Sequence, residues 1–207
     1  MSDCKARVVI VGAAGHAKVI ADIVRKNGDF VVGFLDDDVE KTGKPFLGST
    51  VLGVSADYVK YAKDCMFIVA LGVSEVRKRI STMIQGPFYT AIHPSAIIGP
   101  GVEIGEGSCV MAGAIINPYS RVGAHAIINT GAILEHDCTV GDYSHLCPHS
   151  TVCGESRIGN EVWIGAGCTV IHDMTVCDGV TLGAGAVVVR NLLEPGTYVG
   201  APARKIK

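Results

Sequence analysis

From position 92 onward the chain keeps an aliphatic residue at every sixth position: Ile92, Ile98, Ile104, Val110, Ile116, and on without a break to Leu182 and Val188. Four residues after each stands something mostly small, as at Ala96, Ser108, Ala114, Ser120, Ala132 and Ser144. A helix repeats every 3.6 residues and a lone strand every two, so neither generates a sustained six. Three short strands to a turn do, stacked as a parallel solenoid with 18 residues to a coil. The aliphatic residue is predicted to fill the interior of the prism, and the small one to fit beside the corner. Between five and six coils result, each adding ~4.8 Å along the axis, the ordinary spacing of paired strands. Cys138 and Cys168 fall in small slots and are predicted to be buried, inward-pointing packing residues.

Residues 1–89 follow another pattern, in which short β-branched runs alternate with helical periodicity. Arg7–Val11 (RVVIV) reads as a buried strand. GAAGHAKVIADIVRKNG follows, with Val19, Ile20, Ile23 and Val24 at helical spacing and Gly28 as a stop signal. FVVGFLDDD gives a second strand ending in acids. A helix over 55–62, a strand over 66–71 and a helix over 75–84 complete a βαβαβα pattern. Such a pattern predicts a small parallel sheet whose ligands lie beyond the carboxyl ends of the strands. Two domains are therefore expected, 1–89 and 90–207.

A net charge of -2 and a pI near 6.4 argue against nucleic acid or an anionic membrane as the partner. Hydropathy is high, yet no run approaches the roughly 18–20 apolar residues of a membrane span. MSDCKARVVIVG lacks the features of a secretory signal, which with the cysteine usage predicts a cytoplasmic protein. The eight cysteines show no CxxC spacing, so they read as reduced thiols, Cys4 among them, and no metal is expected.

Seven histidines are present, and two sit in similar settings: LEHDCT holds His136 and Asp137, and VIHDMT holds His172 and Asp173. Their 36-residue separation is two coils, so both fall in one column, about 10 Å apart along the axis. That column reads Pro100, Pro118, His136, Gly154, His172, Arg190. An imidazole on an exposed wall can accept a proton at neutral pH, and a neighbouring carboxylate would orient the ring and raise its basicity. Both pairs qualify on these grounds, and at least one is expected to be surface decoration; His136 lies mid-solenoid, with His145 half a coil further round, whereas His172 lies nearer the C-terminal end. Cys138 as a rival nucleophile is disfavoured by its inward slot. In the first domain the loop Gly12-Ala13-Ala14-Gly15-His16 joins strand to helix, where backbone N–H groups can face an anion. It lacks the middle glycine of GxGxxG, which counts against NAD. Asp36, 21 residues after Gly15, stands near the spacing at which an acid takes a ribose hydroxyl.

The ordered set GAAGHAKV, FLDDD, VALGVSEVRKRI, AIHPSAIIGPGVEIGEG, ILEHDCTVGDYSHL and VGAPARKIK spans nearly the whole chain. It resembles the hexapeptide-repeat acyltransferases, and more closely their nucleotide-sugar N-acetyltransferase and sialic-acid O-acetyltransferase family. The resemblance implies an N-terminal Rossmann-like α/β domain followed by a left-handed parallel β-helix, assembled as a homotrimer. It implies acetyl transfer from acetyl-CoA to the amine of a nucleotide-linked 4-amino-4,6-dideoxy sugar, in surface-glycan or glycoprotein synthesis. His136 takes the role of general base and Asp137 that of raising its basicity. Relatives commonly carry Glu there, so the shorter arm of Asp137 is expected to weaken its grip on the ring. His145 would contact the coenzyme, Ala166 and Ala184 would line its slot, and the arm would run toward the C-terminal tail, where Arg204 and Lys205 read as solvated. Ala14, Gly15, His16, Asp36, Asp37 and Gly72 would bind the nucleotide sugar. Three rivals are a sialic-acid O-acetyltransferase of the same fold, a non-enzymatic scaffold or sensor, and a small NAD-dependent enzyme.

Overall fold

A computed structural model describes residues 5–207; Cys4 lies outside the described residues. The chain divides into two compact units, one ending at Pro94 and the other Ser95–Lys207.

In the first unit β1 (Arg7–Val11) runs into α1 (Gly15–Lys26), followed by β2 (Phe30–Leu35), β3 (Pro45–Phe46), β4 (Ser49–Gly53), β5 (Met66–Val69) and α2 (Ser74–Met83). The sheet order is β3-β4-β2-β1-β5, parallel except for the β3–β4 pair. The apolar stripe of α1 buries Ala17, Ile20, Ala21, Ile23 and Val24, while Val19 faces outward, contrary to the spacing argument. Each fully buried Ile or Val of this kind stabilises by about 1.5–3 kcal/mol relative to exposure. The β3–β4 hairpin is not foreshadowed in the βαβαβα pattern. Its two-residue turn, Leu47-Gly48, has φ of 49° and 73°, the primed geometry that matches strand twist, and a leucine there is no turn signal. Residues 55–62, expected as an α-helix, form a 3-10 turn over Ser55–Lys60. The Asp57 carboxylate accepts the Val54 N–H at 3.1 Å, and i→i+3 bonds such as Tyr61 N–H to Tyr58 O (2.9 Å) tighten the segment.

The second unit is the expected prism of two-residue parallel strands. One wall stacks Ile97–Ile98, Ile115–Ile116, Ile133–Leu134, Thr151–Val152, Thr169–Val170 and Val187–Val188. A second wall runs from Glu103–Ile104 to Thr175–Val176, and a third carries Cys109–Val110, Ile127–Ile128, His145–Leu146, Trp163–Ile164 and Val180–Leu182. Every ladder step advances 18 residues, as Ile133↔Thr151 and His145↔Trp163. From 110 to 188 every sixth residue is buried, none more than 4% exposed. Ile98, at 37%, and Ile104 are not: they lie in the first coil, at the open end of the stack. The C-terminus adds Gly196–Val199 parallel to Val180–Leu182, then Arg204–Lys205 antiparallel to it.

Two features of the corners go beyond the six-residue pattern. First, the small slots are hydrogen-bonding positions as well as packing positions. Ser108, Ser120, Ser144 and Ser156 each donate to the carbonyl 15 residues on, at 2.6–3.1 Å, and accept the N–H 18 residues on. The Cys138 and Cys168 thiols donate to the equivalent carbonyls of Cys153 and Gly183, so they act in the serine slot as weak donors and not only as small apolar groups. Second, every sixth residue from 101 to 185 has φ between 53° and 70°, whether it is glycine or not. Asp137, Glu155 and Asp173 are members of that set, held left-handed by the ladder around them.

Candidate active site

His136 and Asp137 make the corner between Ile133–Leu134 and Thr139–Val140. The Asp137 N–H bonds Pro118 O one coil below (3.1 Å), and His136 O accepts from Glu155 N–H one coil above (3.0 Å), so the backbone is fixed from both sides. With Asp137 left-handed, its carboxylate reaches the adjacent ring: His136 Nδ1 to Asp137 Oδ2 is 2.9 Å. The shorter arm of Asp137 therefore still reaches the ring at hydrogen-bonding distance. The carboxylate accepts only, so Nδ1 carries the proton and Nε2 presents its lone pair. The hydrogen bond to Asp137 raises the His136 pKa above 6.5; desolvation opposes it, and the charges of Asp137, Glu135 and Glu155 add to it. Glu135 is itself steered by Asn117, whose Nδ2 donates at 2.8 Å.

The His136 ring lies over Gly154, one coil up. A Cβ there would come within 2.7 Å of Nε2 and 2.8 Å of Cε1, and its three nearest neighbours would all be atoms of this ring. His136, Gly154, Glu155 and His172 line a cavity of about 320 Å³. The second His-Asp pair is built differently. No hydrogen bond joins His172 to Asp173, and both are exposed.

His145 stands in the third wall, 6% exposed. Its Nε2 accepts from Asn129 Nδ2 at 2.9 Å, a polarity set by Asn129 Oδ1 accepting from Thr130 N–H. Trp163, next up the ladder, meets the ring edge-on at 4.5 Å. Ala166 and Ala184 are exposed at the following corner, linked by Gly185 N–H to Ala166 O at 2.9 Å. Lys205 is exposed, as is Arg204, and pairs on the surface with Glu194 at 3.1 Å. Arg204 Nη1 donates to Ala203 O.

In the first unit Asp36 is heavily engaged. Oδ2 accepts from Ala13 N–H (2.7 Å) and Lys41 Nζ (3.0 Å), and Oδ1 accepts from Asp38 N–H (3.0 Å). Burial pushes its pKa up, but the Asp38 N–H, Lys41 and the Ala13 N–H outweigh that and hold it below its ordinary value. Asp36 therefore ties the glycine loop to the end of β2. Asp37 accepts from Ser55 N–H with Oδ1 alone and is exposed. Arg77, 1% exposed, donates Nη1 to Leu71 O and Gly72 O, both at 2.8 Å. Burial, with Arg77 nearby, pushes the His16 pKa down to about 4, and its Nε2 is buried without a hydrogen-bond partner. A cleft of about 230 Å³ opens beyond the strand ends, with apolar walls and a polar rim of Asp36, Asp37, Ser55 and Arg79. Of the residues expected to bind the nucleotide sugar, Asp36 and Asp37 line this cleft, beside Gly12 of the glycine loop; Ala14, Gly15, His16 and Gly72 do not.

Residues 7–84 match the PglD N-terminal domain family. Residues 155–190 match the bacterial transferase hexapeptide family, six repeats. The acetyltransferase domain of PglB from Neisseria gonorrhoeae, solved with acetyl coenzyme A, aligns over 98% of this chain and 100% of its own, with 32% identity and a TM-score of 0.92. A variant of perosamine N-acetyltransferase from Caulobacter crescentus, solved with CoA and GDP-perosamine, aligns over 100% of this chain and 98% of its own, with 34% identity and a TM-score of 0.89. The chain belongs to the left-handed β-helix family of nucleotide-sugar N-acetyltransferases that contains these proteins. UDP-N-acetylbacillosamine N-acetyltransferase of Bacillus subtilis is 38% identical over 111 residues. That match covers 51% of this chain and 51% of the relative, so the chain spans about half the length of that curated protein.

Within this left-handed β-helix chain the thiols are poor nucleophiles. Burial pushes Cys138 up to about 11 and Cys147 to about 12. Among the described residues no three His, Cys, Asp or Glu side chains gather as metal ligands, and no helix is long and apolar enough to cross a membrane. Sequence reasoning passed over Gly154, although it stands in the column written out for His136. It also passed over Arg77 and Arg79, both inside the quoted VALGVSEVRKRI, where period 3.6 alone does not say which face a cation will take.

Proposed function

We propose that this chain transfers an acetyl group from acetyl-CoA to the amine of a nucleotide-linked 4-amino-4,6-dideoxy sugar, with His136 as general base. The amine nitrogen attacks the thioester carbonyl, and Nε2 takes the proton it sheds. Collapse of the tetrahedral intermediate expels the CoA thiolate, which recovers a proton from the imidazolium. No acyl-enzyme is needed, since the thioester is already activated. Base catalysis of this kind contributes about 10²–10⁴-fold, and holding two substrates in line contributes much of the rest. The observation that carries the reading is the 2.9 Å bond from His136 Nδ1 to Asp137, which fixes the tautomer with a lone pair toward an open cavity.

The nucleotide is assigned to the first-unit cleft, its base against the apolar walls and its ribose toward Asp37, with the loop ordered by Asp36. The coenzyme is assigned to His145, Ala166 and Ala184, at levels along the axis that begin beside His136. Because those residues lie on another corner of the prism, one molecule's His136 would work against a neighbour's coenzyme wall, in a homotrimer. The relatives' complexes with CoA, acetyl coenzyme A and GDP-perosamine support these two classes of ligand. The test is CoA release with a panel of amino-sugar nucleotides and with sialic acid. Turnover on an amino-sugar nucleotide, lost by well over tenfold in His136→Ala with acceptor binding retained, is the expected result. Turnover on sialic acid alone, or an unchanged rate in the variant, refutes it.

A further inference from the structure

The second imidazole of the His136 column is assigned no part in the reaction above. We infer that His172 contacts the coenzyme, hydrogen-bonding the first amide of its pantetheine arm. The inference rests on the acetyl-transfer reading for where the thioester lies. His172 stands two coils above His136, about 10 Å along the axis. Both line the same cavity, and between them the column holds only Gly154, whose missing side chain makes room for the His136 ring and puts no side chain between the two imidazoles. With the thioester carbonyl against His136, one arm of the donor ends in a methyl group. Only the sulfur side continues, and its first amide follows two methylenes on. His172 lies between Ala166 and Ala184 in sequence, so it shares their level along the axis, where the arm is assigned.

The chemistry of the cavity selects this part of the ligand. An imidazole both donates and accepts, which suits an amide's C=O and N–H. His172 is exposed and is not tied to Asp173, so its ring nitrogens are available, whereas Nδ1 of His136 is committed to Asp137. Glu155 lines the same cavity with a carboxylate. A like charge there repels the pyrophosphate of either substrate and leaves the space to a neutral segment.

The experiment is calorimetric titration of CoA into the full chain and its His172→Ala and His172→Asn variants, followed by steady-state kinetics. Loss of one neutral hydrogen bond should weaken CoA roughly three- to tenfold in the alanine variant, and asparagine should recover part of it. In turnover the loss should fall on KM for acetyl-CoA and not on KM for the acceptor. It should persist with S-acetyl-N-acetylcysteamine, a donor cut just beyond that amide. Unchanged CoA binding, a penalty on the acceptor, or one that vanishes with the short donor overturns the assignment. If the wild-type chain releases no CoA with any amino-sugar nucleotide, the acetyl-transfer reading fails instead, and the CoA titration still decides for or against His172.

Discussion

A single methyl group placed one coil above the base should abolish most of its catalysis and leave the fold intact. In Gly154→Ala the added Cβ would stand 2.7 Å from His136 Nε2 and 2.8 Å from Cε1, well inside contact distance, with no other group nearer. Gly154 does not have the positive φ found at the left-handed corner positions, so alanine fits its backbone without strain. The ring must therefore swing away, which breaks the 2.9 Å bond to Asp137 and removes Nε2 from the cavity. If base catalysis is worth about 10²–10⁴-fold, the variant loses up to that much in kcat/KM, a barrier rise of about 2.7–5.5 kcal/mol. Stability should move little: alanine at a compatible site gains about 0.4–1 kcal/mol through the unfolded chain, and the displaced ring is half exposed. Thermal melting and CoA release with an amino-sugar nucleotide measure the two quantities. A His136→Ala, Gly154→Ala double variant should be no slower than His136→Ala alone, since both act on one group. Wild-type turnover in Gly154→Ala refutes the argument, and a melting point lowered by ten degrees or more shows that the space is structural instead.

Three further outcomes follow from the same geometry. Asp137→Asn removes the charge that raises the His136 pKa, so the rising limb of the pH–rate profile should move to lower pH and the plateau should fall, about tenfold or more, as the base weakens; a limb that stays in place separates Asp137 from the titration. Ser144→Ala leaves Gly159 O and Val162 N–H without their partner and should cost about 1–3 kcal/mol by urea melting, while Ser144→Cys should cost less because Cys138 and Cys168 already serve that slot; equal losses contradict the slot argument. His16 has a folded pKa near 4 against an ordinary 6.5, so its contribution is fully present above about pH 6.5 and is lost as pH falls toward 4, by about 3 kcal/mol in all; urea melts of His16→Asn from pH 7.5 to 4 should lack that part of the slope, and an identical slope removes His16 as its source.

The solenoid was legible because its signal is redundant: the aliphatic residues from 110 to 188 all point inward, so no single substitution hides the period. The open first coil escaped because periodicity carries no information about where a stack ends, and Ile98 has the same pattern as Leu134. The α/β unit was legible where strands are continuous apolar runs, as at Arg7–Val11, and failed where structure depends on local bonds. Asp57 turning back to Val54, and the Leu47-Gly48 turn, are set by backbone geometry that composition does not announce. Asp36 was found at the right spacing but is bonded mainly to its own chain, since a carboxylate there can order the loop and face a ligand from one position.

The two His-Asp pairs show why a repeat both reveals and disguises a site. The 18-residue coil puts His136 and His172 in one column with an acid after each, and it gives Asp137 and Asp173 the same left-handed φ of 57°. What differs is the residue one coil up. Above His136 stands Gly154, and the imidazole lies over it, bonded to Asp137. Eighteen residues after His172 the stack no longer repeats: the coil shortens so that Val176 pairs with Leu192, no glycine stands in the column at 190, and no bond joins His172 to Asp173. In a solenoid the environment of a side chain is therefore written 18 residues away in both directions, and a base is distinguished from its repeat by the glycine over it more than by the acid beside it. Crowding the upper neighbour tests this ordering. Gly154→Arg should unlock His136 from Asp137, remove base catalysis and lower the His136 pKa, read by NMR titration of that imidazole. If the His136 titration is unmoved by Gly154→Arg, the column does not control the base.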